Sequence, residues 1–322
     1  GPLSNGIRFF SGDRSGIEAA EYLKSLIDIQ YEVVAEQPMT FENGGFKAFL
    51  GFGANQTEGH DELSYFLSLD EIKTEAPFQM IEKLKEKCNA QIQLRSWVTK
   101  INIEQEKVAS IVVNGQRVLK ADKYIFCGNT KNLIELLPSE AFPQRLRQRI
   151  SRGSYRTALC LDLFHGQIVT ENKFMHMLNG TTEDDIGPCC GRFSSPLEGS
   201  EIKQYSQWVA FLDEEATEES EQVAHALKKI KRQIKRAYPQ GLDHIVSERI
   251  LVTPNSSAFV EMKTREDGSF MAAQNFWIAS SQTRQERNIV GALLKAKECG
   301  CHVAQSFTLQ QSSCAMESPH VN

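Results

Sequence analysis

A five-residue turn, Gly12-Asp13-Arg14-Ser15-Gly16, stands between a short apolar run (Ile7 to Phe10) and an Ala-rich amphipathic stretch. Glycines at a strand-to-helix turn let backbone N–H groups face an anion, and the helix N-terminus adds a favourable dipole. A second strand-like run, Tyr31 to Ala35, ends at Glu36, where a carboxylate can accept hydrogen bonds from ribose hydroxyls. Strand, turn, helix, strand and terminal acid together read as a dinucleotide-binding opening. The glycines depart from that pattern. Gly12 and Gly16 stand one residue closer than the first and third glycines of the fingerprint, with Asp13 and Arg14 in the space between. A side chain where phosphate must approach backbone is a steric obstacle, and Asp13 adds repulsion. Arg14 offers a cation, either to a phosphate or to fill the pocket a phosphate would leave.

Other chemistry is sparse. His165 in "LFHG" and His176 in "FMHML" sit singly on apolar runs, the setting of core histidines. Cys189-Cys190 and Cys299, Cys301 and His302 lack the paired two-residue spacing that lets two thiolates grip one zinc, so isolated thiols and no metal site are expected. The carboxylates of "DEEATEESE" (213–221) run through a loop into a helix start, where they solvate and cap. No Gly-x-Ser-x-Gly elbow, Walker loop or His-Glu-x-x-His pair occurs.

The elements that must position these residues are legible in outline. Phe78, Ile81, Leu84 and Lys85 recur at helical spacing within 75–88. Alternating runs follow, and Asn114-Gly115 between two of them marks a hairpin, because both turn residues must accept positive φ. "KYIFCG" reads as a buried strand ending at Gly128, 155–166 and 204–213 read as strands, and 217–238 as a helix. That helix is acidic first and basic last (Lys228, Lys229, Lys231, Arg232, Lys235, Arg236), an order that suits its dipole and a solvated face. A strand at 275–281 and a helix beyond it close the fold.

The 322 residues suffice for a large core and two domains. A net charge of −5 gives no reason to expect nucleic acid as partner, and no apolar run reaches membrane-spanning length. The opening Gly-Pro-Leu-Ser reads as a protease-cleavage scar, and a native leader could have gone with it. Eight cysteines, several inside apolar strands, suggest a reducing, cytoplasmic setting.

Four stretches carry a family resemblance: "SGDRSGIEAAEYL…YEVVAEQ", Gly44-Gly45, "MIEKLKEKCNAQIQLRSWVTKINIEQEKVASIVVNGQRVLKADKYIFCG", and "NFWIASSQTRQERNIVGALLKAKECGCHVA". They resemble the flavin amine oxidase and phytoene desaturase-like superfamily, FAD-dependent oxidoreductases of the glutathione-reductase type. The resemblance implies an α/β fold. A Rossmann-like FAD-type nucleotide-binding domain split in sequence (5–138 and 272–308) with an inserted α+β second domain (139–271) is expected, and the polar composition of 309–322 suggests a disordered tail. It also implies FAD contacts at Gly12, Arg14, Ser15, Gly16, Glu36, Gly44, Gly45 and Ser281. Ala279-Ser280-Ser281 stands where the family carries Ala-Gly-Asp or Ala-Gly-Glu. Thr157 falls near the place of a lysine found in many amine oxidases, and 45–78 is shorter than in typical members.

Lesions at both ends of one cofactor site favour a pseudoenzyme, which keeps the fold and binds a protein partner or small ligand instead of running flavin catalysis. The alternatives are an FAD-dependent oxidoreductase with an unorthodox site, and a subunit whose site another chain completes. With FAD bound, glycine at position 14 is expected to tighten binding.

Overall fold

The computed structural model describes residues 8–10, 14–51, 61–64, 70–73, 77–141, 143–153, 155–178 and 189–316. The first half opens with β1 (Arg8–Phe10), α1 (Arg14–Leu26), β2 (Glu32–Ala35), β3 (Met39–Glu42) and β4 (Gly45–Ala48). Next come α2 (Asp61–Ser64), β5 (Asp70–Lys73), α3 (Pro77–Lys87), β6 (Val98–Glu104), β7 (Lys107–Val113), β8 (Arg117–Leu119) and β9 (Tyr124–Phe126). The second half holds α4 (Asn132–Leu136), α5 (Gln144–Ser151), β10 (Arg156–His165), β11 (His176–Leu178), β12 (Cys189–Phe193) and β13 (Gln204–Asp213). It ends with α6 (Glu214–Glu218), α7 (Ser220–Ala237), β14 (Ile245–Ser257), β15 (Phe276–Ile278) and α8 (Ile289–Met316). The last helix thus continues past residue 308, where the sequence suggests that order stops.

The chain divides into two compact units. The first comprises Gly1–Ala20, Ile27–Lys83 and Ser154–Ala258; the second comprises Glu21–Leu26, Leu84–Gly153 and Phe259–Asn322.

The first unit is built on a seven-stranded mixed sheet, ordered β14-β10-β13-β12-β11-β3-β4. Strict alternation along β10 and β13 sends Leu159, Leu161, Leu163, Trp208 and Ala210 to one face. There they pack with Ala226, Ile230 and Ile234, one stripe of α7. Each such leucine or isoleucine, fully buried, contributes about 1.5–3 kcal/mol. The other face gathers Met177, Cys190, Val209 and Phe211 against Phe49, Leu63 and Met175. A smaller sheet holds the opening strands. In it β5 lies between β1 and β2 and runs antiparallel to both. β1 and β2 therefore point the same way, as a βαβ opening requires, but are not neighbours. A helical crossover leaves room for one strand between its ends, and antiparallel pairing satisfies both edges well.

The second unit carries the β6-β7-β8 meander and a parallel pair in which Tyr124, Ile125 and Phe126 face Phe276, Trp277 and Ile278. Asn275 ties the two together. Its Oδ1 accepts from Val108 N (2.7 Å), and its Nδ2 donates to Val108 O (3.0 Å) and Asp122 O (3.2 Å). Asn288 caps α8, its Oδ1 accepting from Val290 N at 2.9 Å.

Candidate functional site

Glu36 directly follows β2, and its carboxylate is engaged within the first unit. Arg192 of β12 donates from Nη2 to Glu36 Oε2 at 2.7 Å, with the two side chains only 14% and 17% exposed. The acid expected at the ribose therefore already neutralises a guanidinium. A charge-assisted bond with little water around it is strong, and loss of either partner leaves a poorly hydrated charge.

Arg14 is not in the turn. It is the first residue of α1 and exposed, with Ser15 half-buried and Gly16 buried behind it. No acid stands in the first turn of the helix. A cation at the positive end of a helix dipole is unfavourable alone, and becomes favourable when an anion sits there. Gly12 and Asp13 lie outside the described residues.

The glycine pair expected at the cofactor lies in a hairpin turn. Asn43 (φ 51°) and Gly44 (φ 81°) join β3 to β4, and Gly45 pairs with Glu42. Two successive positive φ values make the turn that matches strand twist, which explains glycine at 44. Among the described residues no protein atom lies within 4 Å of where a Cβ would stand on either glycine, so the space beside the turn is open.

Ser281 belongs to the second unit, where it opens a 3-10 turn, Ser281–Thr283, after β15. Thr283 Oγ1 donates to Ser280 O (2.8 Å), and Val260 N donates to Gln282 O (2.7 Å). Buried Gln282 accepts at Oε1 from both Thr130 N and Thr130 Oγ1, each at 2.8 Å. Neutral hydrogen bonds hold the turn that bears an acid in the resembled family.

The remaining candidates are core groups. Thr157 is fully buried in β10 opposite Leu212. His176 Nδ1 lies 3.2 Å from Gly191 O and its Nε2 lies 2.6 Å from Tyr238 Oη, among Phe46, Phe174, Phe193 and Trp208. With Nδ1–H donating to that carbonyl, Nε2 accepts a hydrogen bond from the tyrosine hydroxyl. His165 Nε2 lies 2.9 Å from Ser206 Oγ, which also accepts from Trp208 Nε1 at 2.9 Å. Burial pushes both imidazoles down to about 4, so both are neutral at pH 7. Among the described residues no cluster of His, Cys, Asp and Glu is placed to hold a metal. Burial also pushes the Cys189 thiol up to about 12 and Cys299 up to about 11, away from reactivity.

Arg192 is the residue that sequence reasoning missed. It sits in "CCGRF", far along the chain from Glu36, and no local spacing connects them.

No protein-family model matches the chain, and no curated relative does. Solved structures do match. An oxidoreductase from Methanosarcina mazei is 12% identical, with a TM-score of 0.55, over 74% of this chain and 58% of that one. Cyclohexylamine oxidase from Brevibacterium oxydans is 10% identical, with a TM-score of 0.58, over 95% of this chain and 88% of that one. A putrescine oxidase variant redesigned in cofactor binding is 11% identical, with a TM-score of 0.57, over 94% and 88%. The chain thus spans little more than half of the Methanosarcina protein and most of the other two. At these identities the likeness is one of fold: this chain has the mixed α/β fold of the amine oxidases.

Proposed function

We propose that the chain is an FAD-dependent oxidoreductase of the amine oxidase class with an unorthodox cofactor seat. The observation that carries this reading is the start of α1, which opens on Arg14 and Ser15 with no carboxylate in its first turn. The amine-oxidase fold supports it. The residues present fit the FAD diphosphate, because a helix N-terminus and a cation complement its charge. Glu36 fits the ribose as an acceptor shared with Arg192. Gly44 and Gly45, in the turn that follows Glu36, stay candidates for the same seat. FAD, when bound, supplies the electron acceptor for substrate oxidation; the chain's part is to bind and orient it.

This placement reverses the expectation for position 14. Glycine there would not widen the phosphate turn, since Arg14 is already helical. Arg14→Gln is expected to weaken FAD about tenfold, the scale of one charge-assisted contact. A fluorescence titration checks this, and unchanged affinity would remove Arg14 from the seat.

The Glu36–Arg192 pair favours a second reading, in which Glu36 is structural and the fold serves to bind a protein partner or another small ligand. Glu36→Gln separates the two. Lower FAD affinity supports the first reading; a stability loss with no FAD affinity to lose supports the second. We also propose a reducing compartment, supported by the free thiols of the described cysteines. An unchanged thiol count before and after reductant is the expected result.

A further inference from the structure

One end of the meander in the second unit displays apolar side chains to solvent. Leu94 is 83% exposed, Trp97 70%, Ile92 57% and Val118 55%. The loop that carries them is built rather than slack. Asn114 Oδ1 accepts from Trp97 N at 2.8 Å, its Nδ2 donates to Arg95 O at 3.1 Å, and its backbone N donates to Trp97 O at 2.8 Å. Gly115 N donates to Thr99 Oγ1 (3.2 Å), and the Arg117 guanidinium bonds Gln93. Arg95 is held at φ 53°, a conformation that non-glycine residues adopt at a cost. A strained, stapled loop thus holds Leu94 and Trp97 outward.

Charge is segregated at the same place. The segments that form this end, 88–100 and 111–121, carry Arg95, Lys100, Arg117 and Lys120 and no Asp or Glu, in a chain whose net charge is −5. Exposed apolar groups ringed by one sign of charge mark a docking surface. The apolar residues stand on a loop and beside the Asn114-Gly115 hairpin turn, open to solvent. The basic side chains complement anionic headgroups, and an exposed indole beside exposed leucine and isoleucine suits the headgroup boundary.

We propose that this end of the meander is a peripheral contact for an anionic membrane surface. Trp97 and Leu94 enter the headgroup layer, and Arg95 and Arg117 meet acidic headgroups. Among the described residues no helix is long and apolar enough to cross a membrane, so the contact is one of surface attachment. The proposal is independent of the cofactor reading.

Of the three tryptophans, Trp208 and Trp277 are each 1% exposed, so a vesicle-induced emission shift reports Trp97. The test mixes the full chain with phosphatidylcholine vesicles, with or without phosphatidylserine. The expected result is a blue shift and co-sedimentation with the anionic vesicles alone, weakening as salt is raised. Arg95→Gln with Arg117→Gln should lower partitioning about thirtyfold. Trp97→Ala with Leu94→Ser should abolish it with an unchanged thermal midpoint. The wild-type salt dependence tests the proposal even if a variant misfolds. Absence of co-sedimentation at low salt would overturn it. So would binding that survives loss of Trp97 and Leu94, or a blue shift that grows with protein concentration without vesicles, which would mark self-association.

Discussion

Arg192 and Glu36 decide how the cofactor question is posed. The sequence shows Glu36 as an acid at a strand end, and the structure places it there, but the guanidinium beside it comes from a strand far along the chain. Arg192→Met is expected to cost about 1–3 kcal/mol, between the values for exposed and buried pairs, and urea unfolding measures it. The glycine pair teaches a different lesson. Asn43-Gly44 is the same dipeptide as Asn114-Gly115 and turns the chain in the same way, with φ of 51° and 81° against 53° and 74°. Its hairpin chemistry was legible; its position after Glu36 suggested a cofactor contact instead. Gly44→Ala should cost about 1 kcal/mol through its positive φ. Gly45→Ala should change neither stability nor FAD affinity. A loss of FAD affinity in Gly45→Ala would put that glycine in contact with the cofactor.

Elements with clear periodicity were legible, and those at edges were not. The run 204–213 is a strand over its whole length, and 155–166 contains β10, because each alternates between two buried faces. Residues 245–257 give no strand reading from sequence, yet form the longest strand described, β14. It is the outer strand of its sheet, so Glu248, Arg249 and exposed Ile250 and Val252 blur the alternation. Pro254, which argues against an interior strand, is tolerated on an edge. Packing at the centre of the same sheet is strict. A Cβ on Gly191 would press into the Trp208 ring and stand 2.5 Å from Gln207 O. Gly191→Ala is therefore expected to lose about 1–3 kcal/mol, read as a lower thermal midpoint, and an unchanged midpoint would contradict the packing described.

At the scale of the whole molecule, His165 and His176 tie stability to pH. Each ionises at about 4 in the fold and near 6.5 when unfolded. Between those values the unfolded chain binds more protons, so stability falls as pH drops from 6.5 toward 4, and these groups add no slope above 6.5. The full shift corresponds to about 3 kcal/mol per histidine. The urea midpoint should drop between pH 7 and pH 5, and His176→Gln should flatten that drop. Fold and function part at this scale too. An α/β fold of the FAD type was legible from the helix, meander and closing strand, whereas the state of the cofactor seat depends on where Arg14 and Arg192 lie in three dimensions. The most direct measurement is the visible absorbance spectrum of the purified full chain, repeated after incubation with FAD and desalting. Flavin bands approaching one equivalent per chain are the expected result. A protein that stays colourless after both steps would contradict the oxidoreductase reading and leave the fold as a binding scaffold.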